Sequence, residues 1–301
     1  MNSKIKSQIQ EMVGNHYSAN NFKMSQTLRL VSLGNYHLQN VRLGKGSFAK
    51  VELARHVLVD ASVALKIISM KEIKDPYVFN NLHREASILS KLSHPNIVGL
   101  IEICVSSDIY CLVLEFVPGA KNLCDVIGMY GALNELVSCS MARQIISALM
   151  YMHSKKILHR DLKLDNIMVS EDFSRCFLID FGLSNFWYPG KIMKTHCGSV
   201  EFAAPELFKR ELQYGPAIDI WSFGIILYGM LLGNLPFILE FGDQKNMTEL
   251  IKTISSGLTE THFNDMHKHK LSANCSSLIL KCLAVNHEIR ISGVGHPLNL
   301  G

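Results

Sequence analysis

Residues 157–183 read ILHRDLKLDNIMVSEDFSRCFLIDFGL, and the fold of the chain turns on them. Asp161, Lys163, Asn166 and Asp180 stand on short polar turns, separated by two apolar runs, Ile167-Met168-Val169 and Cys176-Phe177-Leu178-Ile179. Short apolar runs bounded by polar turns suit buried strands. Paired as a hairpin, the two runs bring their outer ends together, and two carboxylates, an ammonium and an amide gather around one point.

Phosphoryl transfer to a hydroxyl needs that set. Asp161 orients the hydroxyl and accepts its proton, and Lys163 steadies the moving phosphoryl charge. Asn166 and Asp180 offer oxygen ligands to Mg²⁺, which prefers oxygen and shares its shell with phosphates. Asp and Asn in turns are more often simple turn formers. What sets that plainer reading aside is a resemblance: the string is similar to the protein-kinase catalytic loop followed by the Asp-Phe-Gly metal motif, at the spacing kinases show.

Working outward toward the N-terminus, residues 44–51 read GKGSFAKV between two segments of alternating apolar residues. Glycines let a backbone approach phosphate oxygens closely, and its N–H groups cradle them. Alone, the loop is a weak signal. It is followed by VALKII at 63–68, which resembles the kinase Val-Ala-Ile-Lys strand and makes Lys66 the partner of the α- and β-phosphates of ATP. The resemblance further implies nucleotide contacts from Leu43, Gly44, Lys45, Gly46, Ser47, Phe48, Val51 and Ala64. Residues 80–92, NNLHREASILSKL, have helical spacing, with Leu82, Ala86 and Leu89 on one face and Glu85 at its edge. Nineteen residues after Lys66 is where the kinase helix glutamate belongs, so Glu85 is expected to pair with Lys66. YCLVLEFV at 110–117 reads as a buried strand ending at Pro118-Gly119. It resembles the interlobe hinge, with Leu114 as gatekeeper, Glu115 and Val117 on the adenine edge, and Met168 beneath the nucleotide. Lys121 and Asn122 stand where many kinases carry a ribose-binding glutamate.

Toward the C-terminus, KTHCGS at 194–199 and FAAPE at 202–206 resemble the branch that holds the AMP-activated and microtubule-affinity-regulating kinases, within the calcium/calmodulin-dependent group. Thr195 falls where those relatives carry an activating phosphothreonine, so an upstream kinase is expected to switch the segment. Asp219-Ile220-Trp221-Ser222-x-Gly224 resembles the central-helix motif whose aspartate ties down the catalytic loop, and Arg290 is expected to pair with Glu206.

The chain has 301 residues, 48% hydrophobic and 19% charged, and a net charge of +4. That balance suits a globular protein and offers no reason to expect nucleic-acid binding. Eight cysteines occur without a Cys-x-x-Cys pair, which suits free thiols in a reducing compartment. The location expected is the cytoplasm, with the nucleus left open. Residues 221–239 carry no charge, yet Gly224, Gly229, Gly233, Asn234 and Pro236 interrupt them, so they read as a buried helix and not a membrane insertion. His262, His267 and His269 lack flanking metal partners and read as a solvated connector.

The resemblance spans residues 36–297 in seven motifs in the right order. It implies an α+β, two-lobed protein-kinase fold. A flexible extension is expected at 1–35 and the kinase domain at 36–298, with a small β-rich lobe at about 36–116, a larger helical lobe at about 117–298 and ATP between them. Lys163 and Ser199 point to the serine/threonine class acting on protein substrates. The alternative from another class is a pseudokinase scaffold, and its signature, loss of Lys66, Asp161, Asn166 or Asp180, is absent.

Overall fold

The computed structural model describes residues 22–24, 30–46, 49–73, 76–188, 198–209, 214–238 and 245–291. The chain divides into two compact units, residues 1–93 with 98–118, and residues 94–97 with 119–301.

In the first unit, seven strands among the described residues form one antiparallel sheet. They are β1 (Phe22–Met24), β2 (Leu30–Leu33), β3 (Tyr36–Lys45), β4 (Ala49–His56), β5 (Ala61–Ser69), β6 (Leu100–Val105) and β7 (Ile109–Glu115), in the order β1-β2-β3-β4-β5-β7-β6. Side chains alternate across a pleated sheet, and the inward set of one face supplies the core. Leu33, Tyr36, Leu38, Ala54, Val63, Leu65 and Val113 cluster there, all buried. Residues 30–33 fall within the flexible extension expected at 1–35. They instead pair with β3 through Ser32↔His37 and Leu33↔Tyr36, and Leu33 is fully buried. Leu33 gives this segment a buried anchor, which its polar surroundings in the sequence mask. Residues 1–21 and 25–29 lie outside the described set. Helix α1 (Pro76–Leu89) carries Glu85, Ala86, Ile88 and Leu89 on its buried side.

The second unit is mostly helical. Its helices are α2 (Leu123–Tyr130), α3 (Glu135–Ser154), α4 (Ala217–Leu232), α5 (Lys245–Ser256), α6 (Glu260–Lys268) and α7 (Ala273–Cys282). Asn122, Asn134 and Ser272 cap α2, α3 and α7 by accepting the N–H three residues on, the placement that satisfies otherwise orphaned donors. The 157–183 stretch supplies β9 (Ile157–Leu158), β10 (Ile167–Val169) and β11 (Cys176–Leu178). The two apolar runs do form the expected hairpin, with Ile167↔Leu178 and Val169↔Cys176 in register. β8 (Lys121–Asn122) pairs with the other edge of β10, and β12 (Asn185–Phe186) pairs with β9.

Helix α4 is apolar on every side and buried almost throughout, with Trp221 stacked on Phe237 at 5.9 Å. Among the described residues, no helix is long and apolar enough to cross a membrane. The histidines read as a solvated connector lie instead in and beside α6. Thr259 and His262 form its capping box, with His262 Nδ1 accepting the Thr259 N–H at 2.9 Å. A histidine can fill the place usual for Glu or Gln because its unprotonated nitrogen is also an acceptor.

Candidate active site

The hairpin β10–β11 brings Asn166 and Asp180 together at one end, and the Ile179 N–H donates to the Asn166 carbonyl at 3.1 Å. Just before β10, the turn Leu164–Asn166 folds the amide of Asn166 back onto Asp161. Its Nδ2 donates to the Asp161 carbonyl at 2.8 Å and to Asp161 Oδ2 at 3.2 Å. With the nitrogen engaged there, the amide oxygen faces away from Asp161. Lys163 Nζ lies 3.4 Å from Asp161 Oδ2 and donates to Ser199 Oγ at 3.1 Å. The Ser199 N–H in turn donates to Asp161 Oδ1 at 3.1 Å. Both carboxylate oxygens of Asp161 are therefore oriented, one by Asn166 and Lys163 and the other by Ser199. A small open pocket beside them is bounded by Asp161, Gly198, Ser199, Phe202, Leu207 and Ser222.

The loop that carries Asp161 is held from below by a buried carboxylate. Asp219, at the start of α4, accepts the N–H of His159 at 3.0 Å, the N–H of Arg160 at 2.9 Å and His153 Nε2 at 2.8 Å. Burial pushes the Asp219 carboxyl up, but the His153 hydrogen bond and the Arg160 N–H outweigh it and hold it below the usual carboxylate range. Arg160 adopts a left-handed φ of 66°, which costs an L-residue energy and persists only where its surroundings enforce it. Its side chain is buried, with Nε donating to the Leu183 carbonyl at 2.7 Å and Nη1 to the Tyr214 hydroxyl at 3.0 Å. His159 is also fully buried and packs against Phe181 at 5.3 Å, and burial holds its imidazole below the ordinary range.

In the first unit, Gly44, Val51, Ala64 and Lys66, all expected at the nucleotide, share one face of the sheet. Gly44 on β3 is opposite Val51 on β4, and Val51 is opposite Lys66 on β5. Ala64, two residues before Lys66 and so on the same face, is opposite Leu114 on β7. Lys66 Nζ meets Glu85 Oε1 at 2.7 Å, and Glu85 is only 3% exposed. Helical spacing puts Glu85 at the edge of the stripe, yet it points inward because the half-buried Lys66 ammonium on β5 receives it. Leu43 and Lys45 are exposed on β3, and the Gly46 N–H closes a tight turn onto the Ala49 carbonyl at 2.7 Å. Glu115 ends β7 opposite Val63, and its N–H donates to Gly99. Val117 follows, half-buried. Met168 lies in the second unit on β10, opposite Phe177 and Asn122. Ser47, Phe48 and Thr195 lie outside the described residues.

A family model of the protein kinase domain matches residues 37–297. The chain belongs to the protein kinase family. This kinase domain is similar to the carbon catabolite-derepressing protein kinase of Candida glabrata, with 40% identity over 261 residues, 86% of this chain and 40% of that protein. It is also similar to the hormonally up-regulated neu tumor-associated kinase of Mus musculus, with 44% identity over 213 residues, 69% of this chain and 29% of that protein. The chain spans well under half the length of these curated relatives.

Three features of the kinase site were not foreseen. The Ser199 N–H on Asp161 and the Tyr214 hydroxyl on Arg160 join residues 38 and 54 apart, and no local pattern announces such contacts. Gly198 has φ 100°, and a methyl there would lie 2.8 Å from the Arg160 carbonyl. A glycine just before Ser199 was the available signal. The Glu206–Arg290 pair is present as a two-pronged ion pair at 2.7 and 2.9 Å, fully desolvated.

Proposed function

We propose that the chain transfers the γ-phosphate of ATP to serine or threonine hydroxyls of protein substrates, with Mg²⁺ as the metal. The observation that carries this reading is the Asp161 carboxylate, fixed on one side by Asn166 and on the other by the Ser199 N–H. A carboxylate held in this way points a lone pair at an incoming hydroxyl, accepts its proton and restrains its approach. Lys163, which bridges Asp161 and Ser199, neutralises charge on the oxygens in transfer in this reading.

The donor set suits a hard cation. Asn166 presents its amide oxygen because its nitrogen is engaged on Asp161, and Asp180 adds a carboxylate. Among the described residues, no three His, Cys, Asp or Glu side chains gather as a metal cage. Mg²⁺ does not need one, since phosphate oxygens and waters complete its shell. When bound, the ion supplies charge neutralisation across the β- and γ-phosphates. Lys66, steadied by Glu85, serves the α- and β-phosphates. Leu43, Gly44, Lys45, Gly46, Ser47, Phe48, Val51, Ala64, Glu115, Val117 and Met168 serve the rest of the nucleotide.

Substituting Asp161→Asn tests the reading. Turnover on generic peptides is expected to fall ~10²–10⁴-fold, while ATP still raises the melting temperature. Wild-type protein that binds ATP yet phosphorylates no peptide leaves the scaffold reading instead.

An upstream kinase that modifies Thr195 completes the proposal. A phosphate adds about −1.5 to −2 charges and makes one to three charge-assisted hydrogen bonds. Arg160 is the cation it would meet, displacing or joining Tyr214. Phosphatase treatment of active protein from cells is expected to lower activity, with Thr195 as the residue that loses phosphate. Full activity with Thr195 unmodified counts against this part alone. The free thiols of the seven described cysteines support a cytoplasmic location.

A further inference from the structure

Arg160 adjoins Asp161, so whatever fixes Arg160 fixes the reacting carboxylate. Its left-handed φ of 66° stores strain, and such a residue relaxes unless its surroundings hold it at more than one point. Its backbone N–H is held by Asp219 at 2.9 Å, and its Nε by the Leu183 carbonyl at 2.7 Å. Its Nη1 donates to the Tyr214 hydroxyl at 3.0 Å. Both side chains are 5% exposed. A guanidinium removed from water requires acceptors, and losing one leaves a buried charged donor unmet. Tyr214 is thus a neutral acceptor, built into the chain just before α4, that meets Arg160 without a phosphate.

We propose that Tyr214 is a positioning residue for the catalytic loop. Its hydroxyl clamps the Arg160 guanidinium and so holds Asp161 in its working orientation in the unmodified kinase. The inference rests on the kinase reading for its effect on turnover, but the clamp itself is a property of the fold.

The variant Tyr214→Phe keeps the ring and removes only the hydroxyl. Full-length protein, stripped of phosphate and checked by intact mass, is labelled with ¹⁵N-arginine. Hydrogen exchange at the Arg160 Nε–H is then followed by NMR, with Arg160→Lys used to assign the resonance. The signal is expected to be protected in the wild type and to exchange about tenfold faster in Tyr214→Phe. In the same proteins kcat is expected to fall about tenfold, with KM for ATP within a factor of two. Equally slow exchange in the two proteins overturns the clamp, whatever happens to turnover. Faster exchange with unchanged kcat overturns the positioning role. Should neither protein transfer phosphate while exchange still accelerates, the kinase reading fails and the clamp stands.

Discussion

Gly198 shows how much a single side chain would disturb. Its φ of 100° is a conformation that L side chains rarely adopt, and a methyl there would crowd the Arg160 carbonyl at 2.8 Å and Asp161 Oδ1 at 3.4 Å. The absence of that methyl lets the Ser199 N–H reach Asp161. Substituting Gly198→Ala is therefore expected to push the segment off the catalytic loop and lower kcat about 10- to 100-fold, since a displacement near 1 Å can cost ~10² in rate. The melting temperature should change little, because Gly198 itself is exposed. Steady-state kinetics beside a thermal melt check this, and an undiminished kcat would show that the contact is dispensable. Asp161, Lys163 and Asn166 were legible in the sequence because they sit within six residues on one turn, where spacing alone dictates proximity. Tyr214 and Gly198 were not, because their roles depend on segments far apart in sequence.

Helix α4 anchors the catalytic loop through Asp219, so its own seating matters. It packs on α7, and Gly224 marks the closest approach. An added Cβ there would lie 2.7 Å from Cys282 Cβ and 2.8 Å from Leu283 Cδ2. The Leu283 side chain can rotate aside, but Cys282 Cβ is fixed to its own backbone and moves only with the helix. Gly224→Ala should cost ~1–3 kcal/mol by overpacking, read as a lower urea midpoint at unchanged slope. A variant as stable as wild type would mean that α7 yields freely. At this scale the sequence was more informative about some elements than others. The hairpin β10–β11 followed from two apolar runs and their polar turns. The strand at Leu30–Leu33 was hidden by polar neighbours, and α6 was missed because histidine is seldom read as a capping residue.

The two units share a dependence on neutral histidines, His56 and His159 fully buried and His94 half-buried. Removal from water holds the imidazoles of His56, His94 and His159 below the ordinary histidine value of about 6.5. Glu102 draws His56 partly back, and Asp219, Asp161 and Asp180 do the same for His159. An unfolded chain takes up these protons near pH 6.5, before the folded one does. Stability is thus complete above about 6.5 and is lost as pH falls from there toward the lower folded values. Each proton contributes a slope of at most ~1.4 kcal/mol per pH unit. The melting temperature should decline from pH 7 to 5.5, and His56→Phe should decline less steeply, its ring still packing edge-on against Tyr36. A flat profile over that range would count against the buried neutral state. At still lower pH the protection of Asp219 is removed as its depressed carboxyl finally takes a proton.

The ion pair between Glu206 and Arg290 joins residues 84 apart. Ribosomes add roughly 5–20 residues per second, so Glu206 leaves the peptidyl-transferase centre some 4–17 s ahead of its arginine. For that interval the carboxylate is denied the guanidinium that makes its burial tolerable, and the segment around Pro205 has a reason to stay wet. The last turns of the second unit therefore close late in synthesis, when Arg290 arrives and reaches Glu206, the Ala217 carbonyl and the Ala284 carbonyl together. Until then the nascent chain offers chaperones a half-built helical unit, so the timing of translation is itself a parameter of its yield.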